Sequence, residues 1–536
     1  MRKYNINVKA ALAVFAIVLS ACSSDNDIVD NNSNNQEKPV TNKTMSFRAS
    51  MDGETTRTDF NGNSTIWTDN DAISIMNTAS VPEETDRPTQ ADFTISEGVG
   101  TKEATFTGGP IRANGNNADN FYAFYPATTL STSNNAIKAS ASVPTVQTAI
   151  DGSYDQSLHF MSAYSTNSTF NFKNVCSLIK ITLTNNTSVC RVKVVANPTL
   201  TSMDAQEFTY TSITGNFDAT IGSDGTASVT ATDAKSTYVE LRANGDNGTA
   251  KTVIGNGTFY MVVLPATISN GFTLLLEKTN GTIYQRIGTK VTAFERNKMY
   301  DFGSFDCSGT PSGMTELTNV IDLDMPSDTL WATKNLNSSN SLLSSAEITG
   351  FASSETADGG FFSWGYKEVT SALGGIYSLP GLDQTNTTLA GTYEVVYTYD
   401  QKYCMPIYAQ LYELYNNITD KSTGSVSTGL ISSRTYAKFT SPTGRILSLP
   451  YAGYYYSGVH TGQNTQARYW SRTYTGRTWE LTPEYYAYCL DLKITNNVPE
   501  VDLHTGWLGG STWNDKGEVG RTIRPVATNI QIAPIY

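Results

Sequence analysis

The sequence predicts a mainly β chain that ends in an α+β portion. Three observations carry this. Only 16% of the 536 residues are charged, while Thr, Ser, Asn, Gly and Tyr abound, a composition of β-rich extracellular domains rather than helical bundles. From Met45 to about Phe305, short apolar or alternating runs are separated by turn signals such as Asn61-Gly62, Asn114-Gly115 and Asp224-Gly225, a spacing that fits β-sandwiches. No long amphipathic helix interrupts that stretch, and the one persuasive helix comes late, at Pro406–Ile418. The length is too great for a single domain.

The first element is a targeting segment. Arg2, Lys3 and Lys9 precede an apolar run from Ala10 to Leu19 that is too short to span a bilayer, so residues 1–21 read as a secretory signal peptide. Leu19-Ser20-Ala21-Cys22 resembles the lipobox of bacterial lipoproteins. That resemblance implies cleavage before Cys22, a diacylglycerol on its thiol and an acylated new N-terminus. Several acyl chains at ~0.8 kcal/mol per buried CH₂ give stable anchoring, here expected at the outer membrane. Residues 22–44 are polar and Asn-rich and read as a flexible tether. Their acidic start, Asp25 and Asp27, resembles the export tag of surface-exposed lipoproteins in gut anaerobes.

The strand-rich stretch follows. Ser177–Leu183 partly alternates, Tyr260–Leu264 is continuously apolar, and Phe272–Leu276 and Ile283–Ile287 flank Asn280-Gly281. An Asn-Gly pair between two strand-like runs predicts a hairpin with a type I′ turn, because both residues tolerate positive φ. Composition changes after Cys307: six of the seven Trp lie in 331–513, and Tyr clusters at Tyr451–Tyr456 and Tyr485–Tyr488. A linker is placed at 307–315. In the late helix Pro406 lies near the first turn, and Tyr408, Leu411, Tyr412 and Tyr415 share one face.

Two further resemblances divide the chain. Residues 45–305 resemble the fimbrillin family of two-sandwich pilins. The pieces are Phe47-Arg-Ala49 before Thr56-Arg57-Thr58, Ile66-Trp67 with Asp71–Ile75, Ala104–Gly108, Phe121–Pro126, Val143-Pro144 with Gln147-Thr148, Phe172–Ile181 and Phe294–Tyr300. The resemblance implies two tandem β-sandwiches, 45–165 and 166–306. Residues 316–536 resemble the C-type-lectin-like paralogous domain called FISUMP. The motifs are Asp322–Leu336, Gly360–Gly365, Tyr403–Pro406, Leu449–Tyr454, Tyr469–Ser471 and Gly520–Val526. In fimbrillin pili, subunits join by strand donation along a sheet edge. A chain whose fimbrillin part is followed by about 220 residues can accept a strand but not readily donate one, which places it at a tip or in an accessory position. The family opens its groove by Arg-directed cleavage, for which Arg48 and Arg57 are the available positions.

Other functions are disfavoured. Removing 1–21 takes three of the 37 basic residues, leaving an excess of about 15 negative charges, so nucleic acid is not an expected partner. Five cysteines remain after Cys22, without metal-ligand spacing; Cys404 and Cys489 either pair or stay as buried thiols. No nucleophile motif accompanies His460 or His504, and Asp322/Asp324 and Glu500/Asp502 read as solvated strand faces, so no enzyme is expected. Trp513-Asn514-Asp515 matches half of a sugar-binding C-type-lectin Ca²⁺ site. Its companion Glu-Pro-Asn or Gln-Pro-Asp triplet is missing, which leaves Asn514 and Asp515 a weak metal candidate. Otherwise no cofactor beyond the Cys22 lipid is expected. Trp331, Trp364 and Trp470 read as core, whereas Tyr455, Tyr456 and Trp507 are the candidate ligand-binding aromatics. Arg521 and Arg524 read as internal braces. The expectation is a surface-exposed fimbrial tip or accessory adhesin, whose partners are other fimbrillin subunits and a surface glycan or protein. The alternative is a non-fimbrial outer-membrane lipoprotein that binds glycans or matrix.

Overall fold

The computed structural model describes residues 44–527 except 52–65, 82–86, 115–118, 201–206, 246–250, 339–347, 363–395, 397–399, 428–432, 457–458, 480–481 and 511–518. Cys22 and the tether lie outside the described residues.

Seven strands close a barrel. They are β1 (Met45–Met51), β2 (Ala72–Asn77), β3 (Gln90–Glu97), β4 (Glu103–Gly108), β5 (Phe121–Tyr125), β6 (Met161–Ser165) and β7 (Thr169–Asn174), in the order β1-β7-β6-β5-β2-β3-β4. A β-sandwich was expected over 45–165. Closure comes from β1, which pairs parallel to β7 and antiparallel to β4 and so removes the two edges a sandwich would leave. The interior is aromatic. Trp67 is fully buried, with Phe106 at 4.9 Å and Tyr125 at 5.3 Å, both edge-on.

The second body is a sandwich. One sheet has β8 (Ser177–Thr184) between β11 (Gly257–Val263) and β14 (Met299–Asp306). The other is six-stranded. It runs β15 (Thr315–Leu317), β13 (Ile283–Ile287), β12 (Phe272–Lys278), β9 (Val189–Ala196), β10 (Tyr238–Arg242) and the short strand Val146–Thr148. Ile179 and Ile181 of β8 face Val192, Val194, Leu274 and Leu276 in one core. Strand Ala136–Val143 pairs with Gly215–Ile221, across the boundary expected at 165/166. β8 alternates buried and half-buried residues as its sequence suggests, whereas β9 is buried along its whole length. Uniform burial means that both faces of the six-stranded sheet are covered.

The Asn280-Gly281 hairpin forms, with a different turn. Only Gly281 is left-handed (φ +86°), and its N–H donates to Lys278 O at 2.9 Å. A three-residue loop with a left-handed glycine at its end therefore replaces the type I′ turn.

The C-terminal region covers the outer face of the six-stranded sheet. It contains β16 (Val320–Asp322), β17 (Leu330–Ala332), α1 (Tyr408–Asn417), β18 (Asp420–Ser427), β19 (Ser433–Thr440), β20 (Ile446–Pro450), β21 (Tyr454–Tyr456), β22 (Gln466–Trp479), β23 (Thr482–Thr495), β24 (Val498–Gly510) and β25 (Val519–Gly520). The chain does not leave the sandwich through a free linker, because β15 extends the sheet beside β13 and buries Leu317. The helix begins at Tyr408, where Ile407 N–H donates to Gln410 Oε1 at 2.9 Å. Its buried face holds Leu411, Leu414, Gln410 and Glu413, with Tyr408, Tyr412 and Tyr415 half-buried on the flank. Tyrosine hydroxyls favour such a wet margin, which shifts the face from the one expected. Asp322 and Asp324 are buried, not solvated, for a reason given below. The five described cysteines all carry buried thiols and hold no disulfide.

Candidate functional site

β1 is the first candidate. Its alternation sends Phe47 and Ala49 into the barrel and leaves the Arg48 side chain outside. The Phe47 ring lies 5.0 Å from Phe93, 5.1 Å from Phe121 and 5.5 Å from Phe170. Both backbone edges of β1 are used: Arg48 sits opposite Thr169 on one side and Thr105 on the other, and its N–H donates to Ser168 O at 2.8 Å. The strand is thus held by two ladders and by a short apolar row. It can leave only as a unit, and a protease reaches the Arg48 backbone only when the strand is released. Arg57 lies outside the described residues.

The aromatic candidates of the C-terminal region fall in two sheets. Tyr455 and Tyr456 sit on β21, paired with Gly520 and Val519 of β25. Trp507 sits on β24, opposite Tyr486 of β23. The backbone of all three is described and their side chains are not. Asn514, Asp515 and Trp364 lie outside the described residues. Trp331 and Trp470 are buried, as expected. Arg521 is buried with its guanidinium 3.9 Å from the centre of the Trp470 ring. Arg524 braces carbonyls, donating to Ala332 O at 3.1 Å and Ser448 O at 2.8 Å, and to Asn335 Oδ1 at 2.8 Å. Burial pulls Arg524 down to about 10.

Two groups escaped the sequence reading. One is a half-exposed aromatic stack in which Tyr408 lies 6.0 Å from Tyr412 and 4.3 Å from Tyr488. The other is a buried ion cluster centred on Arg191 and Lys193. Its signal was present in the sequence: two cations two residues apart in the valine-rich run Val189–Ala196, and three aspartates within Asp322–Asp328.

No curated protein sequence matches the chain. Solved structures resemble about half of it. A candidate cell adhesion protein from Bacteroides uniformis is 16% identical, with a TM-score of 0.32, covering 52% of this chain and 96% of that one. One from Bacteroides ovatus is 15% identical, with a TM-score of 0.28, covering 47% and 86%. The tip fimbrial protein Mfa3 from Porphyromonas gingivalis, truncated at its C-terminus, is 9% identical, with a TM-score of 0.25, covering 51% and 97%. Residues 56–303, which run through most of the barrel and the sandwich, match the model of the Fimbrillin-like family.

Proposed function

We propose that this chain is a cell-surface fimbrial subunit, a tip or accessory adhesin that accepts a strand from a neighbour and adheres through its lectin-like C-terminal region. The observation that carries the reading is the fimbrillin-like match over 56–303. The geometry is compatible with it. β1 is a single strand closing a barrel, and its removal would leave a slot bounded by two edges, β4 and β7, ready for backbone pairing with a donor. The lipid on Cys22 anchors the unprocessed subunit at the outer membrane, and cleavage at Arg57 releases β1 together with that anchor. Tyr455, Tyr456 and Trp507 are assigned to the ligand surface, with Asn514 and Asp515 as a weak metal candidate. No step of this role is catalytic.

The test is mechanical shearing of native cells, followed by blotting of the fibre and membrane fractions with and without boiling. A heat-labile ladder in sheared fibres, with an N-terminus beyond Arg57, is the expected result. Recovery of the whole chain as a lipidated membrane monomer would replace the fimbrial reading with that of a free surface lipoprotein.

A further inference from the structure

We propose that strand β9 and the loop Asp322–Asp328 form an ionic latch that makes the sandwich and the C-terminal region one rigid, co-folding body. The latch carries the C-terminal region at a fixed orientation, where a tethered module would swivel. The inference rests on contacts within the fold and not on the adhesive role proposed above.

The outer face of the six-stranded sheet is charged and yet buried. Arg191 and Lys193 of β9 stand on it, with Glu240 and Arg242 on β10 and Glu277 on β12. Arg191 Nε reaches Glu240 Oε2 at 2.5 Å, and its Nη1 reaches Glu277 Oε2 at 2.8 Å. Its Nη2 spans to the C-terminal region, meeting Asp322 and, at 2.6 Å, Asp324 Oδ1. Lys193 Nζ donates to Asp322 Oδ2 at 2.7 Å and Asp324 Oδ1 at 3.1 Å. It also lies 2.5 Å from Asp328 Oδ1, off the direction a hydrogen bond needs. Arg445, ahead of β20, returns the exchange by donating to Glu277 Oε2 at 2.9 Å. Cations of each body therefore satisfy carboxylates of the other.

This arrangement is costly outside its assembled state. A buried charge stripped of its partner is strongly destabilising, whereas a complete network adds little over an apolar contact. The network's physical contribution is register: only one docking position answers every charge. Asp324 and Asp328 both adopt left-handed backbone (φ +55°), conformations that persist where the surroundings dictate them.

Independent contacts fix the same register. Tyr210 of the sandwich donates to Glu413 of α1 at 2.8 Å, and Thr237 donates to Pro326 O at 2.7 Å. Leu275 and Ile283 share a core with Val320 and Leu330. A hinge between the bodies would have to break all of these together.

The test is hydrogen exchange of the full chain across a urea series, followed by peptide mass. Peptides of β9 and β12 are expected to open at the same urea concentration as those of α1 and β23. In Lys193→Met, the α1 and β23 peptides should exchange roughly tenfold faster than those of β8 and β11, splitting the transition. Arg445→Gln lies at the rim and carries the same test if Lys193→Met fails to fold. Separate transitions in the unmodified chain would overturn co-folding. A transition that stays single in the variants would overturn the ionic cluster as what joins the bodies.

Discussion

Phe47 shows how much one side chain decides. It is the bulkiest apolar group of β1 that points inward, and three aromatic rings surround it. Phe47→Ala should destabilise the barrel by about 3–5 kcal/mol, the cost of an aromatic cavity. Urea unfolding followed by Trp67 fluorescence, in a background lacking the C-terminal tryptophans, measures it. His159 gives a pH signature. It is buried, its Nε2 lies 2.7 Å from Asn174 Oδ1, and the rings of Tyr125 and Tyr154 each lie 6.3 Å away. Burial holds it below its usual 6.5, against a weaker opposing hydrogen bond donated to Asn174 Oδ1. The unfolded chain therefore binds the proton first. Stability contributed by neutral His159 is full above pH 6.5 and declines as pH falls toward its folded value. The urea midpoint read by Trp67 should drop from about pH 7.5 to 5 by His159's share, and His159→Gln should flatten that slope.

At the scale of elements, the hairpin after β12 separates pattern from detail. Asn280-Gly281 located the turn, while the pairing of β12 with β13, closed where Lys278 N–H donates to Thr282 O at 2.9 Å, set a three-residue loop in which Gly281 alone is left-handed. An added Cβ at Gly281 would meet nothing nearer than Lys251 Nζ at 3.8 Å, so substitution there is a matter of backbone alone. Gly281→Ala should cost about 1–2 kcal/mol, the left-handed penalty of an L-residue. Thermal unfolding reads this as a lower midpoint of the sandwich and its docked region. Helix α1 teaches a similar lesson. Its position was legible from Pro406 and the apolar spacing, but its buried face was not, because Glu413 and Gln410 are drawn inward by loop residues distant in sequence, Ser327, Thr329 and Tyr210. Glu413 accepts from Ser327 N–H at 2.8 Å and Tyr210 O–H at 2.8 Å.

At the scale of the whole molecule, the ionic latch sets a pH window. Burial alone would raise Glu277, but Arg191 and Arg445 outweigh it and hold Glu277 at about 2. Asp322 and Asp324 are likewise held low: burial opposes this, and the neighbouring Lys193, Arg191 and Arg445 prevail. Stability from these carboxylates is present above their unfolded values of 4.5 and 3.8 and is lost as pH falls below them. Asp328 behaves oppositely. Burial and the nearby Asp322 push it up to about 8, so its contribution is full below 3.8 and lost as pH rises through about 8. Fluorescence of the C-terminal tryptophans should therefore show the docked region weakening below about pH 4.5 and again toward pH 8, with Asp328→Asn removing the alkaline limb.

The sequence alone determined what is local: strand-and-turn spacing, the site of the hairpin, the late helix, and the buried Trp331 and Trp470. Such features depend on neighbours a few residues away and leave a periodic trace. Barrel closure by β1, the second covered face of the sheet, and the pairing of Arg191 and Lys193 with Asp322, Asp324 and Asp328 were decided only by tertiary structure. Those outcomes join groups more than 120 residues apart, and burial reverses the reading that a charged strand residue normally invites. Paired aspartates look solvated until the strand that neutralises them is seen in place.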